Sequence, residues 1–91
     1  MKAHDYVGRR NISGDRIREA RVKHRYSQSA LAAKMQCEGV LLEQDAISRI
    51  EKGTRMVQDF ELRALASLLG VTADWLLSSE KYTPQNPSVS K

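Results

Sequence analysis

The apolar residues of this chain recur three and four positions apart in five short runs, and nowhere do they alternate with polar ones. That spacing is a helical period, so the chain has to bury helix faces against one another rather than pair strands. Start and stop residues separate the runs. Ser13-Gly14-Asp15 reads as a helix start with Ser13 as N-cap, and Ile17, Ala20 and His24 then share one stripe up to about Arg25. Arg21 falls on the same inward stripe, where a charge needs a partner. Tyr26 reads as a plug at the following turn. Ser27 opens the second run, in which Leu31 and Met35 face the same side and Ala32-Ala33 admits a close neighbour. Gly39 marks a break. Glu43 opens the third run, with Ala46, Ile47 and Ile50 inward, and Gly53 closes it. Gln58 and Glu61 have the capping-box spacing. Phe60, Leu62, Leu65, Ala66, Leu68 and Leu69 then build the richest apolar helix, stopped by Gly70. Thr72 caps a short last helix holding Trp75, Leu76 and Leu77. The expectation is an all-α, compact five-helix domain over residues 13–78, preceded by a flexible basic arm at 1–12 and followed by a flexible tail at 79–91.

Ninety-one residues suffice for one such domain and not for two. No apolar run approaches the ~18 residues of a membrane span. The opening Met1-Lys2-Ala3-His4-Asp5 has no apolar segment of the kind that directs export. The single cysteine, Cys37, cannot form an internal disulfide, which fits a reducing, cytoplasmic setting. A zinc site needs about four ligands, and Cys37, His4 and His24 do not make a set, so neither metal nor cofactor is expected. No nucleophile–base pairing or phosphate loop can be assembled either, which argues against an enzyme.

The charge is unevenly spread. Residues 1–25 hold eight bases (Lys2, Arg9, Arg10, Arg16, Arg18, Arg21, Lys23, Arg25) against three acids. Residues 26–58 carry four of each sign, and residues 59–91 three bases and four acids. One end therefore attracts polyanions. Clustered Lys and Arg are what phosphate neutralisation requires, so nucleic acid is the first partner to consider, with a solvated helix face as the alternative.

Several pieces, taken in order, resemble the lambda-repressor/Cro-type (XRE) helix-turn-helix family. They are Arg16-Ile17-Arg18-Glu19-Ala20-Arg21, the Ser27-Gln28 start, Leu31-Ala32-Ala33-Lys34-Met35, Ala46-Ile47-Ser48-Arg49-Ile50-Glu51-Lys52-Gly53-Thr54-Arg55, and Glu61-Leu62 through Leu69-Gly70-Val71-Thr72-Ala73-Asp74-Trp75-Leu76-Leu77. Their order and spacing, more than any one of them, carry the likeness. The physics is consistent with it. The reading helix of such a motif needs one buried face and one polar, reachable face. Residues 43–52 have that form, with Ala46, Ile47 and Ile50 inward and Gln44, Asp45, Ser48, Arg49 and Lys52 outward.

The resemblance implies a sequence-specific DNA-binding transcriptional regulator, a repressor, located in the cytoplasm and on the nucleoid. It implies a homodimer on a near-palindromic operator, since the family reads half-sites about one helical turn apart. It assigns base contact to Gln44, Asp45, Ser48 and Arg49. Gln suits adenine and Arg suits guanine. Solvent exposure alone is the alternative for Gln44 and Ser48. Asp45 can accept from a cytosine amino group, exclude wrong sequences, or favour the positive first turn of its helix. The resemblance assigns phosphate contact to Ser27, Gln28, Lys52, Thr54 and Arg55, with a capping role as the alternative at Gln28. It makes Arg21 and Glu51 a partly buried structural ion pair. Arg9 and Arg10 are either an arm toward DNA or part of an idle terminus. Trp75, Phe60 and Tyr26 read as core or dimer contacts rather than base-stacking groups, and Trp75, Leu76, Leu77 and the tail as the dimer surface.

The chain departs from the pattern at residues 36–42. Ten residues, Gln36 to Asp45, separate Met35 from Ala46, more than the family's usual short turn. The insertion can lengthen helix 2, widen the turn or present a contact, and its Val40-Leu41-Leu42 run points to packing. Cys37 within it reads as a small semi-buried side chain, with a redox switch as the alternative. A competing function is a protein-interaction module on the same fold, such as an antitoxin gripping a toxin or an antirepressor. The neutral middle third and Asp45 motivate it.

Overall fold

The computed structural model describes residues 6–78, and the expected tail at 79–91 lies outside them. Five helices follow in order: α1 Gly14–Lys23, α2 Gln28–Cys37, α3 Gln44–Lys52, α4 Asp59–Leu69 and α5 Ala73–Leu77. The fold is all-α. The starts of α2 and α5 follow from their caps. Ser27 Oγ accepts the Ala30 N–H at 2.9 Å, and Thr72 Oγ1 accepts the Trp75 N–H at 3.0 Å. At α4, the Glu61 carboxylate accepts the Gln58 N–H at 2.9 Å.

α2, α3 and α4 stop by one device. At the end of α3, Gly53 takes φ 80°, its N–H bonds Ile50 O at 3.0 Å, and the Thr54 N–H reaches Arg49 O at 2.9 Å. Gly39 and Gly70 close α2 and α4 in the same geometry. α1 ends likewise, but with Arg25 in the left-handed position at φ 60°.

The start of α1 differs from the sequence expectation. Ser13 is buried but makes no capping bond with its side chain. Asn11 does that work: its Oδ1 accepts the Gly14 N–H at 2.8 Å. Asn11 lies in the segment read as an arm. Over its described part, that segment makes a Tyr6–Arg9 bridge, and the Arg10 N–H donates to Gly53 O at 2.8 Å.

Ile17, Leu31, Met35, Leu42, Ile47, Ile50, Leu65, Leu69 and Leu76 are fully buried in one core. α3 packs against α1 and α2, while α1 also meets α4 and α5. Some residues of the apolar stripes lie outside this core. Phe60 is half exposed, and His24 lies at the surface with Nε2 2.7 Å from Leu69 O. Leu76 belongs to the core, so it cannot serve the dimer contact expected of it, whereas Leu77 is exposed. The 36–42 insertion adds only two residues to α2, as far as Cys37, and the rest widens the turn to residues 38–43. Leu42 anchors that turn in the core and Val40 packs against it, but Leu41 is 70% exposed. Cys37 is exposed rather than semi-buried, because it stands on the outer side of the last turn of α2.

Candidate nucleic-acid interface

α3 is split lengthwise. Ala46, Ile47, Ile50 and Glu51 are buried, Gln44, Asp45, Arg49 and Lys52 are exposed, and Ser48 is half-buried between them. The split follows from the 3.6-residue period acting on an alternation of paired apolar and polar positions. Along the outer face, Arg49 reaches back one turn to Asp45, with Nη2 to Oδ2 at 3.3 Å. Both side chains are more than half exposed, so this pair is weakly held and readily exchanged for another partner. Asp45 also stands in the first turn, where negative charge is favoured.

The inner face of α3 is held by ions as well as by aliphatic side chains. Glu51 accepts from Arg21 Nε at 2.6 Å and from Arg21 Nη2 at 3.0 Å, with only 4% and 12% of the two side chains exposed. The third arm of the guanidinium, Nη1, donates to Tyr26 O at 2.8 Å. The hydrogen bond to Glu51 raises the Arg21 pKa above its ordinary value, against desolvation and with the help of the opposite charge. A two-point contact of this kind fixes the angle between α1 and α3 as well as their distance.

α2 brings Ser27 and Gln28 to the same neighbourhood. Gln28 Nε2 donates to Glu51 Oε1 at 3.0 Å, and Gln28 Oε1 accepts from Gln44 Nε2 at 2.8 Å. Gln28 therefore bridges the start of α2 to the start of α3. The Ser27 hydroxyl, exposed, accepts from its own helix.

At the other end of α3, Lys52 and Thr54 are exposed, and Thr54 Oγ1 donates to Arg49 O at 3.2 Å. Arg55 is turned inward by comparison. It donates to Met56 O at 2.8 Å and to both oxygens of the buried Glu61, at 3.1 and 3.4 Å. Arg55 thus ties the loop after α3 to the first turn of α4. Six positions of sequence separate the two charges, an interval with no helical meaning, so the pair leaves no periodic signature.

Two residues of the 6–12 segment complete the seating of α3. Asn11 Nδ2 donates to Ile50 O at 3.0 Å and to Arg55 O at 2.7 Å, besides the bond its oxygen makes to Gly14. Arg9 lies over Gly53 so closely that a Cβ there would meet its guanidinium, and it pairs with Asp15 at 3.4 Å. Gly53 is needed both for its backbone conformation and for this approach. The sequence signal for Asn11 was an Asx residue three before a helical glycine, overshadowed by Ser13 beside it.

Two aromatic rings, Trp75 and Tyr26, are engaged by the protein's own cations. Arg16 lies 4.4 Å over the Trp75 ring and Lys34 lies 4.7 Å over Tyr26. Among the described residues, no three of His, Cys, Asp and Glu come together as they would around a metal ion, and no helix is long and apolar enough to cross a membrane.

The helix-turn-helix family model matches residues 17–76. No curated protein matches the chain. The match runs from the buried Ile17 of α1 to the buried Leu76 of α5, and so takes in the braced α2–α3 pair and both helices that support it. The chain belongs to the lambda-repressor-like, XRE-type helix-turn-helix family of DNA-binding regulators.

Proposed function

We propose that the protein is a sequence-specific repressor that reads the major groove with α3, as a homodimer on a near-palindromic operator. The observation that carries this reading is the two-sided character of α3. Its polar face is open over Gln44, Asp45 and Arg49, while its opposite face is fixed by the core and by the Arg21–Glu51 pair. A reading helix needs both properties. Gln44, Asp45, Ser48 and Arg49 meet base edges. Arg49 leaves Asp45 for a guanine, and Asp45 is then available to a cytosine amino group.

Phosphate contact comes from groups around the ends of α2 and α3. Lys52 and Thr54 flank the end of the reading helix. Ser27 and the second N–H of Gln28 stand at the start of α2. Arg55 contributes what its ion pair with Glu61 leaves accessible. These contacts supply affinity without choosing sequence. By occupying its operator, the dimer excludes other proteins from the same stretch of DNA. Partnership with a toxin or antirepressor is the competing role.

The test is selection of bound sequences from a random duplex pool, followed by a salt titration on the winner. Two mirrored half-sites about one helical turn apart are expected, with affinity falling steeply as salt rises. Absence of any enriched sequence would overturn the reading and favour the protein-partner role.

A further inference from the structure

The widened turn between α2 and α3 displays a leucine. Along it the side chains alternate: Val40 packs against the core, Leu41 is exposed, Leu42 is buried and Glu43 is exposed again. Alternation of this kind belongs to extended backbone, and Glu43 is extended, with φ −81° and ψ 170°. Leu41 therefore points away from the core, to the side that Glu43 takes at the entry to α3. Among the described residues it is the most exposed large apolar side chain. It is also held from both sides. Leu42 is anchored in the core after it, and before it the Val40 N–H donates to Met35 O at 3.0 Å. Little ordering is left for a partner to impose, so a contact made by Leu41 keeps most of its free energy.

Leu41 stands three residues before Gln44. Three extended residues span at most about 10 Å, the rise of about three base pairs. On the reading proposed above, which puts Gln44 at a base edge, Leu41 stands at the same groove within that distance. It has no donor for a phosphate, and the exposed Glu38 and Glu43 of the same turn repel one. The apolar group that the major-groove edges of the bases offer is the C5-methyl of thymine. We propose that Leu41 is a specificity residue supplied by the turn: it packs on a thymine methyl beside the bases read by α3 and extends each half-site beyond that helix. The inference rests on the assignment of α3 to the major groove.

The test uses the full chain on its selected operator. Each thymine is replaced singly by deoxyuridine, which removes the methyl and keeps every hydrogen-bonding group. Binding of wild type, Leu41→Ala, Leu41→Ser and Leu41→Met is measured by fluorescence anisotropy, and the position at which Gln44→Ala loses its preference marks where α3 begins. Wild type is expected to lose about threefold to tenfold in affinity at one thymine of each half-site, within about three base pairs of that mark. Leu41→Ala and Leu41→Ser should bind the thymine duplex more weakly by a similar factor and no longer distinguish it from the deoxyuridine duplex. Leu41→Met should keep most of the distinction. A side chain this exposed can be changed without unfolding the domain, and unchanged thermal unfolding checks that. Absence of a methyl-sensitive thymine in that range, or a sensitivity that persists in Leu41→Ala, would overturn the proposal, leave the reading of α3 intact and turn Leu41 toward a protein partner. Failure of wild type to select any duplex, or of Gln44→Ala to lose any preference, would remove that reading and the inference with it.

Discussion

Replacing Asn11 by Ala removes one side chain and disconnects three pieces of the domain. The amide bonds the Gly14 N–H at the start of α1, Ile50 O near the end of α3, and Arg55 O in the loop before α4. Ile50 O keeps a second partner in the Gly53 N–H. Gly14 is buried and stands at the unbonded end of its helix, so its N–H loses the acceptor that caps it. A lost cap costs roughly 1 kcal/mol, and leaving the part-buried Arg55 carbonyl without its donor costs about 1–3 kcal/mol more. The expected loss is therefore about 2–4 kcal/mol, a large share of the stability of a domain this small. Thermal unfolding should fall by about 10–25 °C. Urea denaturation followed by far-ultraviolet circular dichroism should show an earlier midpoint with an unchanged slope. Ser13→Ala is the control, since the Ser13 side chain makes no capping bond. It should cost less than Asn11→Ala. A loss below about 1 kcal/mol for Asn11→Ala, or a larger one for Ser13→Ala, would refute the assignment of the cap and the tie to Asn11.

Arg21→Met should destabilise by about 3–5 kcal/mol, because it leaves the Glu51 carboxylate buried with only Gln28 as donor. The double variant Arg21→Met/Glu51→Leu should recover most of that loss in the same urea assay. Arg25→Gly should raise stability by roughly 0.5–1 kcal/mol, since Arg25 holds a left-handed backbone that glycine adopts without a Cβ clash. An unchanged or lower melting temperature would contradict this. Lys52→Ala should weaken binding to cognate and random duplexes by the same factor and make the salt slope shallower by about one unit, read by fluorescence anisotropy.

The outline of the fold was legible because it rests on local rules. Ser27, Thr72, Gly53 and Gly70 act within a turn of their own position, and the apolar period of α3 needs no knowledge of what it packs against. The residues that sequence describes least completely are those with distant partners. Asn11 looks like one more polar residue of a basic arm until Ile50 and Arg55 are brought beside it. Arg55 follows α3 and carries the charge that suits a phosphate, and the fold also pairs its guanidinium with Glu61. Leu41 and Leu42 are identical in sequence terms, and only the path of the turn sends one into the core and the other into solvent. Period and capping predict where helices begin and end. They do not say which of two neighbouring side chains the tertiary contacts will claim.

α3 is held differently at its two ends, and the difference bears on the DNA reading proposed for it. At its far end, Gly53, Asn11 and the overlying Arg9 fix the backbone, with the Asn11 bond to Ile50 O and the Arg10 bond to Gly53 O. At its near end Glu43 makes no capping bond, and the α3 backbone is met by a side chain of the same helix, Arg49 Nε donating to Asp45 O at 3.4 Å. There the tie runs from Gln44 through Gln28 to Glu51 and Arg21. The far end is thus set by bonds to main-chain carbonyls, which substitutions on the outer face of α3 leave in place. The near end is set by the side chain to which the proposed function also gives a base contact. On the proposed reading, a change at Gln44 alters both the base contact and how that end is seated, a change at Arg49 alters its contact and frees Asp45, and a change at Lys52 alters the contact alone. Outer-face substitutions nearer the C-terminus of α3 should combine additively in affinity measurements, and those that include Gln44 should not. This asymmetry makes the middle and end of α3 the positions at which binding preference can be altered with least disturbance to the domain.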